Sequence, residues 1–186
     1  MMMSQKLGNY KQLNESITRG GMRVRLCQYC HGKDGNSKKD SIPNLAAQNP
    51  VYLLTQFEYF RTGVRKNRVM NDLARGLTDE ERINIALYYA SQDVKRETKN
   101  INVNSGDYKQ GSQLYKQTCI SCHGEKGYGK QSLPRIAGQN YAFISKTLLA
   151  YKNKTGLRPD SPMIAVASAL SDREIMSIST YASSMK

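Results

Sequence analysis

The chain is short of the side chains that usually carry chemistry. It has two histidines and four cysteines in 186 residues, so anything that needs an imidazole or a thiol must use one of six positions. No apolar run approaches the roughly 18 residues of a membrane-spanning helix, which leaves no candidate span. Acidic residues are scarce too: 15 Asp and Glu stand against 28 Lys and Arg, a formal net charge of +13. An excess of that sign suits acidic partners or an anionic membrane surface. Nucleic acid is set aside because no recognition motif accompanies the charge.

What is present is concentrated. Cys27-Gln28-Tyr29-Cys30-His31 and Cys119-Ile120-Ser121-Cys122-His123 together use every cysteine and every histidine. Cys-x-x-Cys-His is the attachment signature of c-type haem. Thiols three apart at a helix end can each bond one porphyrin vinyl group, and the adjoining histidine then lies beneath the iron. A zinc ribbon would place its cysteine pairs about 15–20 residues apart, whereas these lie in opposite halves of the chain. A redox disulfide would call for a βαβ context, and neither pair follows a strand-like run. The expected cofactors are therefore two covalently attached haem c groups.

With no third histidine, bis-histidine ligation is impossible, and methionine is the remaining soft ligand for the far side of each iron. Met1, Met2 and Met3 are expected to sit on a mobile terminus, and Met185 lies at the other end. Met22 is too close to Cys27 to reach the opposite face of the ring, and Met176 reads as core packing within a helix. Met70 and Met163 remain, one per half.

The halves are copies of each other. His31 to His123, Pro43 to Pro134 and Met70 to Met163 are offsets of 92, 91 and 93, and Pro43-Asn44-Leu45-Ala46-Ala47-Gln48-Asn49 matches Pro134-Arg135-Ile136-Ala137-Gly138-Gln139-Asn140. A repeat of this kind is one structural unit used twice. Leu53, Phe57 and Phe60, and again Ile144, Leu148 and Tyr151, recur at i, i+4 and i+7 on one helical face. Thr78-Asp79-Glu80-Glu81 and Ser171-Asp172-Arg173-Glu174 are capping boxes, so a C-terminal helix should close each half. Before the motifs, Gly111, Leu114 and Tyr115 read as helix, with Met22 at the place of Leu114 and Arg23 at that of Tyr115. The expected organisation is all-α: a first domain over 1–91, a polar linker over 92–106 and a second domain over 107–186. A half of that size is small for a stable core, and a covalent haem would supply the missing apolar surface.

From about Gly20 onward the chain resembles tandem class I cytochromes c, specifically the dihaem cytochrome c4 family. The resemblance rests on Cys-x-x-Cys-His-Gly, the Pro-x-[Leu/Ile]-Ala-x-Gln segment, the methionine and the capped last helix, each present twice. It implies two tandem cytochrome c-like haem domains, with haem attached at Cys27 and Cys30 and at Cys119 and Cys122. It also implies iron ligation by His31 with Met70 and by His123 with Met163, and imidazole orientation by the carbonyls of Pro43 and Pro134.

Irons with two protein ligands leave no open position for a substrate, so the expected function is electron transfer without catalysis. The carrier would work in the periplasm, soluble or peripherally attached to the membrane, between a respiratory donor complex or dehydrogenase and a terminal oxidase or reductase. The alternative is a dihaem subunit of a redox enzyme such as a flavocytochrome c sulfide dehydrogenase. Arg61, Arg65, Lys66 and Arg68 before Met70, and Lys152, Lys154 and Arg158 before Met163, are expected to steer acidic redox proteins or membrane respiratory complexes. The resemblance implies haem attachment after export and hence a signal peptide, yet Met1 to Leu26 contains no apolar h-region.

Overall fold

The computed structural model describes residues 2–95, 105–155, 158 and 160–185. Every regular element among them is helical. The chain divides into two compact units, Met1–Lys38 with Asn44–Val94, and Lys39–Pro43 with Lys95–Lys186. Most of the segment expected to be a linker lies outside the described residues, although its last residue, Gly106, already belongs to a helix.

In the first unit, α1 (Met2–Leu7) leads into α2 (Tyr10–Arg23), whose first turn is capped by the Asn9 side chain accepting from Gln12 N. A one-turn helix, α3 (Gln28–His31), carries the first motif. Helix α4 (Pro50–Thr62) starts on an Asn49 cap with Pro at its first position, where a missing N–H costs nothing. Leu53, Phe57 and Phe60 on α4 are all buried, each contributing on the order of 1.5–3 kcal/mol by leaving water. Helix α5 (Arg68–Arg75) and helix α6 (Asp79–Ala90) complete the unit, and α6 begins with the Thr78–Glu81 capping box.

The terminus is not the mobile tail expected of it. Met3 is buried in the first core, and Lys6 Nζ donates to Ser16 Oγ at 2.9 Å and to Asn84 Oδ1 at 3.1 Å, which holds α1 to α2 and α6. Helix α2 lies so close to α6 that a Cβ on Gly20 would stand 2.1 Å from the Asn84 carbonyl oxygen. Only glycine permits that approach.

The second unit repeats the plan. Helix α7 (Gly106–Leu114) is capped by Ser105 and runs into a π-helical turn, Tyr115–Cys119, before the one-turn α8 (Ile120–His123). Helices α9 (Tyr141–Lys152), α10 (Met163–Ser168) and α11 (Asp172–Ser184) follow, and α11 opens with the Ser171–Glu174 capping box. The close crossing recurs, since a Cβ on Gly111 would meet the Ser177 carbonyl oxygen at 2.0 Å.

That pair of glycines corrects the expected matching of the halves. Gly20 and Gly111 are 91 apart, whereas Cys27 and Cys119 are 92 apart, and the second unit takes up its extra residue in the π turn, as π-bulges do. Tyr115 therefore matches Val24, not Arg23, and both are fully buried. Met176 is also corrected: it is 49% exposed on α11 and does not pack in the core. At one core position the copies differ in kind. Ile175 is buried in the second unit, while Arg82 at its place in the first donates to the carbonyls of Ala74 and Leu77 and pairs with Asp79.

Candidate haem sites

Each motif is built by the same local geometry. Cys27 precedes α3 and His31 ends it, with Gly32 N–H closing the turn on Gln28 O; Gly32 has φ of +82°, a value glycine adopts without strain. Cys119, His123 and Gly124 repeat the arrangement on α8. The chain then turns so that the Gly35 carbonyl accepts from Leu45 N and Ala46 N, and the Gly127 carbonyl from Ile136 N and Ala137 N. A further bond fastens each loop to the closing helix: Ala47 N to Tyr89 O, and Gly138 N to Ala182 O, at 3.0 and 3.1 Å. The Pro-x-[Leu/Ile]-Ala-x-Gln segment therefore joins the motif loop to the last helix in both copies.

None of the four cysteines is paired in a disulfide. Cys27 packs against the first core, and burial raises its thiol above the ordinary value. Cys119 is buried with Tyr115, Ala137 and Met185, and burial, with Cys122 beside it, pushes its thiol up to about 11. Both histidines are buried. His123 Nδ1 lies 2.9 Å from Pro134 O, and burial lowers the imidazole while that hydrogen bond works the other way. A neutral ring that donates from Nδ1 keeps its Nε2 lone pair for a metal.

Met70 lies in the first turn of α5, half-buried against the first core, and its backbone N–H is held by Asn67 Oδ1 at 3.0 Å. Met163 opens α10, half-buried against the second core. Among the described residues, no three His, Cys, Asp or Glu side chains gather as a metal cage. The residues present fit haem c: paired thiols for thioether formation, a buried neutral imidazole, and a soft thioether available from the same unit.

Two tyrosines were not expected at the sites. Tyr115 is fully buried beside Cys119 and donates its hydroxyl to Gly124 O at 2.6 Å. Tyr89, on α6, is buried in the core against which Cys27 packs, and its hydroxyl meets no nitrogen or oxygen acceptor. The two are exchanged in size across the repeat: Val24 with Tyr89 in the first unit stands where Tyr115 with Ala182 stands in the second. Each pair spends one ring on the space beside the first cysteine, but takes it from opposite helices. Matching the halves on Gly20 and Gly111 would have exposed the exchange; matching on the cysteines hides it.

The basic clusters are less uniform than their sequence suggests. Lys66 and Arg68 are exposed, but Arg61 pairs with Glu58, and Arg65 lies 4.6 Å over the Phe60 ring and donates to Gln56 Oε1. In the second cluster Lys152 pairs with Asp172 at 2.6 Å. Arg158 is corrected from a surface charge to a buried one, 7% exposed and stacked 4.9 Å from the Tyr151 ring centre. Aromatic faces hold a guanidinium in this way through the ring quadrupole, and a charge so held cannot meet a partner.

No described helix is long and apolar enough to cross a membrane. The family described as cytochrome c oxidase, cbb3-type, subunit III, matches residues 106–181. The cytochrome c4 of Thiocapsa roseopersicina is 34% identical, over 84% of this chain and 85% of that protein. The cytochrome c4 of Pseudomonas aeruginosa is 30% identical, over 87% and 85%. The crystal structure of reduced recombinant cytochrome c4 from Pseudomonas stutzeri superposes with a TM-score of 0.81 at 29% identity, covering 90% of this chain and 97% of that one. Two Cys-x-x-Cys-His sites in two helical units, with relatives matched along most of their length, mean that the chain belongs to the cytochrome c4 family of dihaem electron-transfer cytochromes and carries two covalently attached haem c groups.

Proposed function

We propose that this protein is a periplasmic carrier that takes electrons from a respiratory donor complex or dehydrogenase and passes them to a terminal oxidase or reductase. Each bound haem supplies one reversible one-electron couple. In this reading Cys27, Cys30, Cys119 and Cys122 anchor the haems, His31 and His123 ligate from one side, and Met70 and Met163 from the other. The observation that carries it is the buried His123 imidazole hydrogen-bonded to Pro134 O, an arrangement that fixes one tautomer and leaves the other nitrogen's lone pair for a metal. Pro43 has the corresponding role for His31. The chain's own work is then to exclude water, hold the ligands and present the haem edges to partners.

Partner recognition is proposed to run through the cations that remain at the surface, Lys66 and Arg68 foremost, toward acidic redox proteins or membrane respiratory complexes. An anionic membrane surface would concentrate the same charge near those complexes. The test is a redox titration of the purified holoprotein combined with carbon monoxide addition to its reduced form. Two one-electron waves and no carbon monoxide binding at neutral pH support closed, methionine-ligated irons and a carrier. Rapid carbon monoxide binding by either haem overturns that ligand set and moves the reading toward a catalytic subunit.

A further inference from the structure

The buried hydroxyl of Tyr89 stands out because no nitrogen or oxygen acceptor receives it, and the group it interacts with is the Cys27 sulfur. Tyr89 is 1% exposed, and its hydroxyl is cut off from solvent and from any nitrogen or oxygen acceptor. A buried hydroxyl without a strong acceptor costs the protein its desolvation, so such a group is uncommon without a reason. Its position is not adjustable. The ring is pinned by Tyr88, edge-on at a centroid distance of 5.2 Å, and by Gly35, where a Cβ would stand 2.8 Å from Tyr89 Cδ1. The backbone carbonyl of the same residue receives Ala47 N. Ring and backbone together hold the hydroxyl against the cluster on which Cys27 packs.

The chemistry of the two neighbours supports a specific pairing. Burial raises the Tyr89 phenol far above its ordinary value, and Cys27 is the next contributor; a hydrogen bond from the phenol in turn partly offsets the rise that burial imposes on the Cys27 thiol. The second unit has no such pair, because the tyrosine beside Cys119 gives its hydroxyl to Gly124 O and Ala182 occupies the place of Tyr89.

We propose that Tyr89 is a positioning residue for the first haem, donating its hydroxyl to the Cys27 sulfur once that sulfur is a thioether. A donor on this sulfur draws electron density from the porphyrin edge and favours the reduced state, so it raises the potential of one haem and leaves the other alone. Hydrogen bonds to sulfur and burial are among the levers by which a protein sets such potentials. The two nearly identical sites thereby acquire different potentials from a difference of one hydroxyl.

The inference rests on haem attachment at Cys27 and not on any partner named above. The test is Tyr89→Phe in the holoprotein, which keeps the ring and deletes the donor, with two haems per chain verified by intact mass. One of the two one-electron waves should fall by about threefold in equilibrium constant, a fraction of a hydrogen bond's worth, or about 28 mV at about 59 mV per tenfold. Resonance Raman should show one thioether C–S stretch displaced. Site-specific 3-fluorotyrosine at position 89, a stronger donor, should move the same wave upward, and it keeps the question open to measurement if the phenylalanine variant does not load haem. Waves that stay in place in both variants, or that move together, overturn the proposal. A chain with one haem would instead remove the attachment reading beneath it.

Discussion

Tyr115 donates its hydroxyl to the carbonyl of Gly124 at 2.6 Å, across the whole second motif. The bond ties the π turn that contains Cys119 to the residue after His123, so the one-turn helix between them is held at both ends. Tyr115→Phe keeps the ring and deletes the donor. It should lower stability by about 1 kcal/mol, the net worth of one such bond, read as a shift of the denaturant midpoint without a change of slope. An unchanged midpoint would mean that packing alone holds the turn.

The glycine crossings should be the least tolerant positions of the helical frame. Gly20→Ala and Gly111→Ala each place a methyl about 2 Å from a backbone carbonyl oxygen, and neither neighbour is a flexible side-chain tip. Separating the helices should cost roughly 2–4 kcal/mol through overpacking and lost contacts. Thermal melts of each holoprotein variant measure it. A loss below about 0.5 kcal/mol in both would show that the helices can part freely.

Acid should weaken the first unit through Glu81. Hydrogen bonds from Arg23 and from the Thr78 backbone hold its carboxyl below the ordinary range. A group whose folded value is depressed stabilises the fold above its unfolded value, and that gain is lost as pH falls through the folded one. Glu81→Gln should therefore be less stable than the parent at pH 7, with the difference shrinking to nothing in acid. Urea midpoints across that range give the comparison; a difference independent of pH would assign the effect to the cap geometry alone.

Met70→Ala and Met163→Ala should each alter one haem. Removing a thioether ligand lowers the potential of that iron and opens it to added carbon monoxide, both visible by spectroelectrochemistry. Retention of the parent spectrum in either variant would assign that ligand position to another side chain.

Charge reversal should separate the two basic clusters. Lys66→Glu with Arg68→Glu should slow capture by an acidic redox partner several-fold and flatten its salt dependence, because screening confines surface charge to about 8 Å at physiological ionic strength. Arg158→Glu should act on the fold instead, since it exchanges a buried guanidinium on the Tyr151 ring for a carboxylate that the ring repels. Stopped-flow rates and melts on the same variants distinguish the two. Parallel losses of rate in both, with melts unchanged, would return Arg158 to the docking surface.

Much was legible in the chain because the signals are local. The helical faces at Leu53, Phe57 and Phe60 and at Ile144, Leu148 and Tyr151 are buried as their spacing implies, and both capping boxes form. Each is decided within two turns of helix, where hydrogen-bond geometry and period leave little choice. The haem motifs belong to the same class, since attachment chemistry requires that residue order.

What depended on residues far apart in the chain was decided by packing. Met3 and Met176 exchanged their expected places, one drawn into the core and the other left outside, because burial depends on which helices meet and not on distance from an end. Arg158 looks like a surface cation in any window of sequence, yet Tyr151 receives it. The matching of Tyr115 with Val24 needed the glycine crossings, which set the register of α2 on α6 and of α7 on α11. The helices, their caps and the two attachment motifs are legible in the chain alone, because each is set by bonds within a few residues. Which ring lies beside Cys27 followed from packing alone, because that contact joins residues more than 60 positions apart, and no local rule spans that distance.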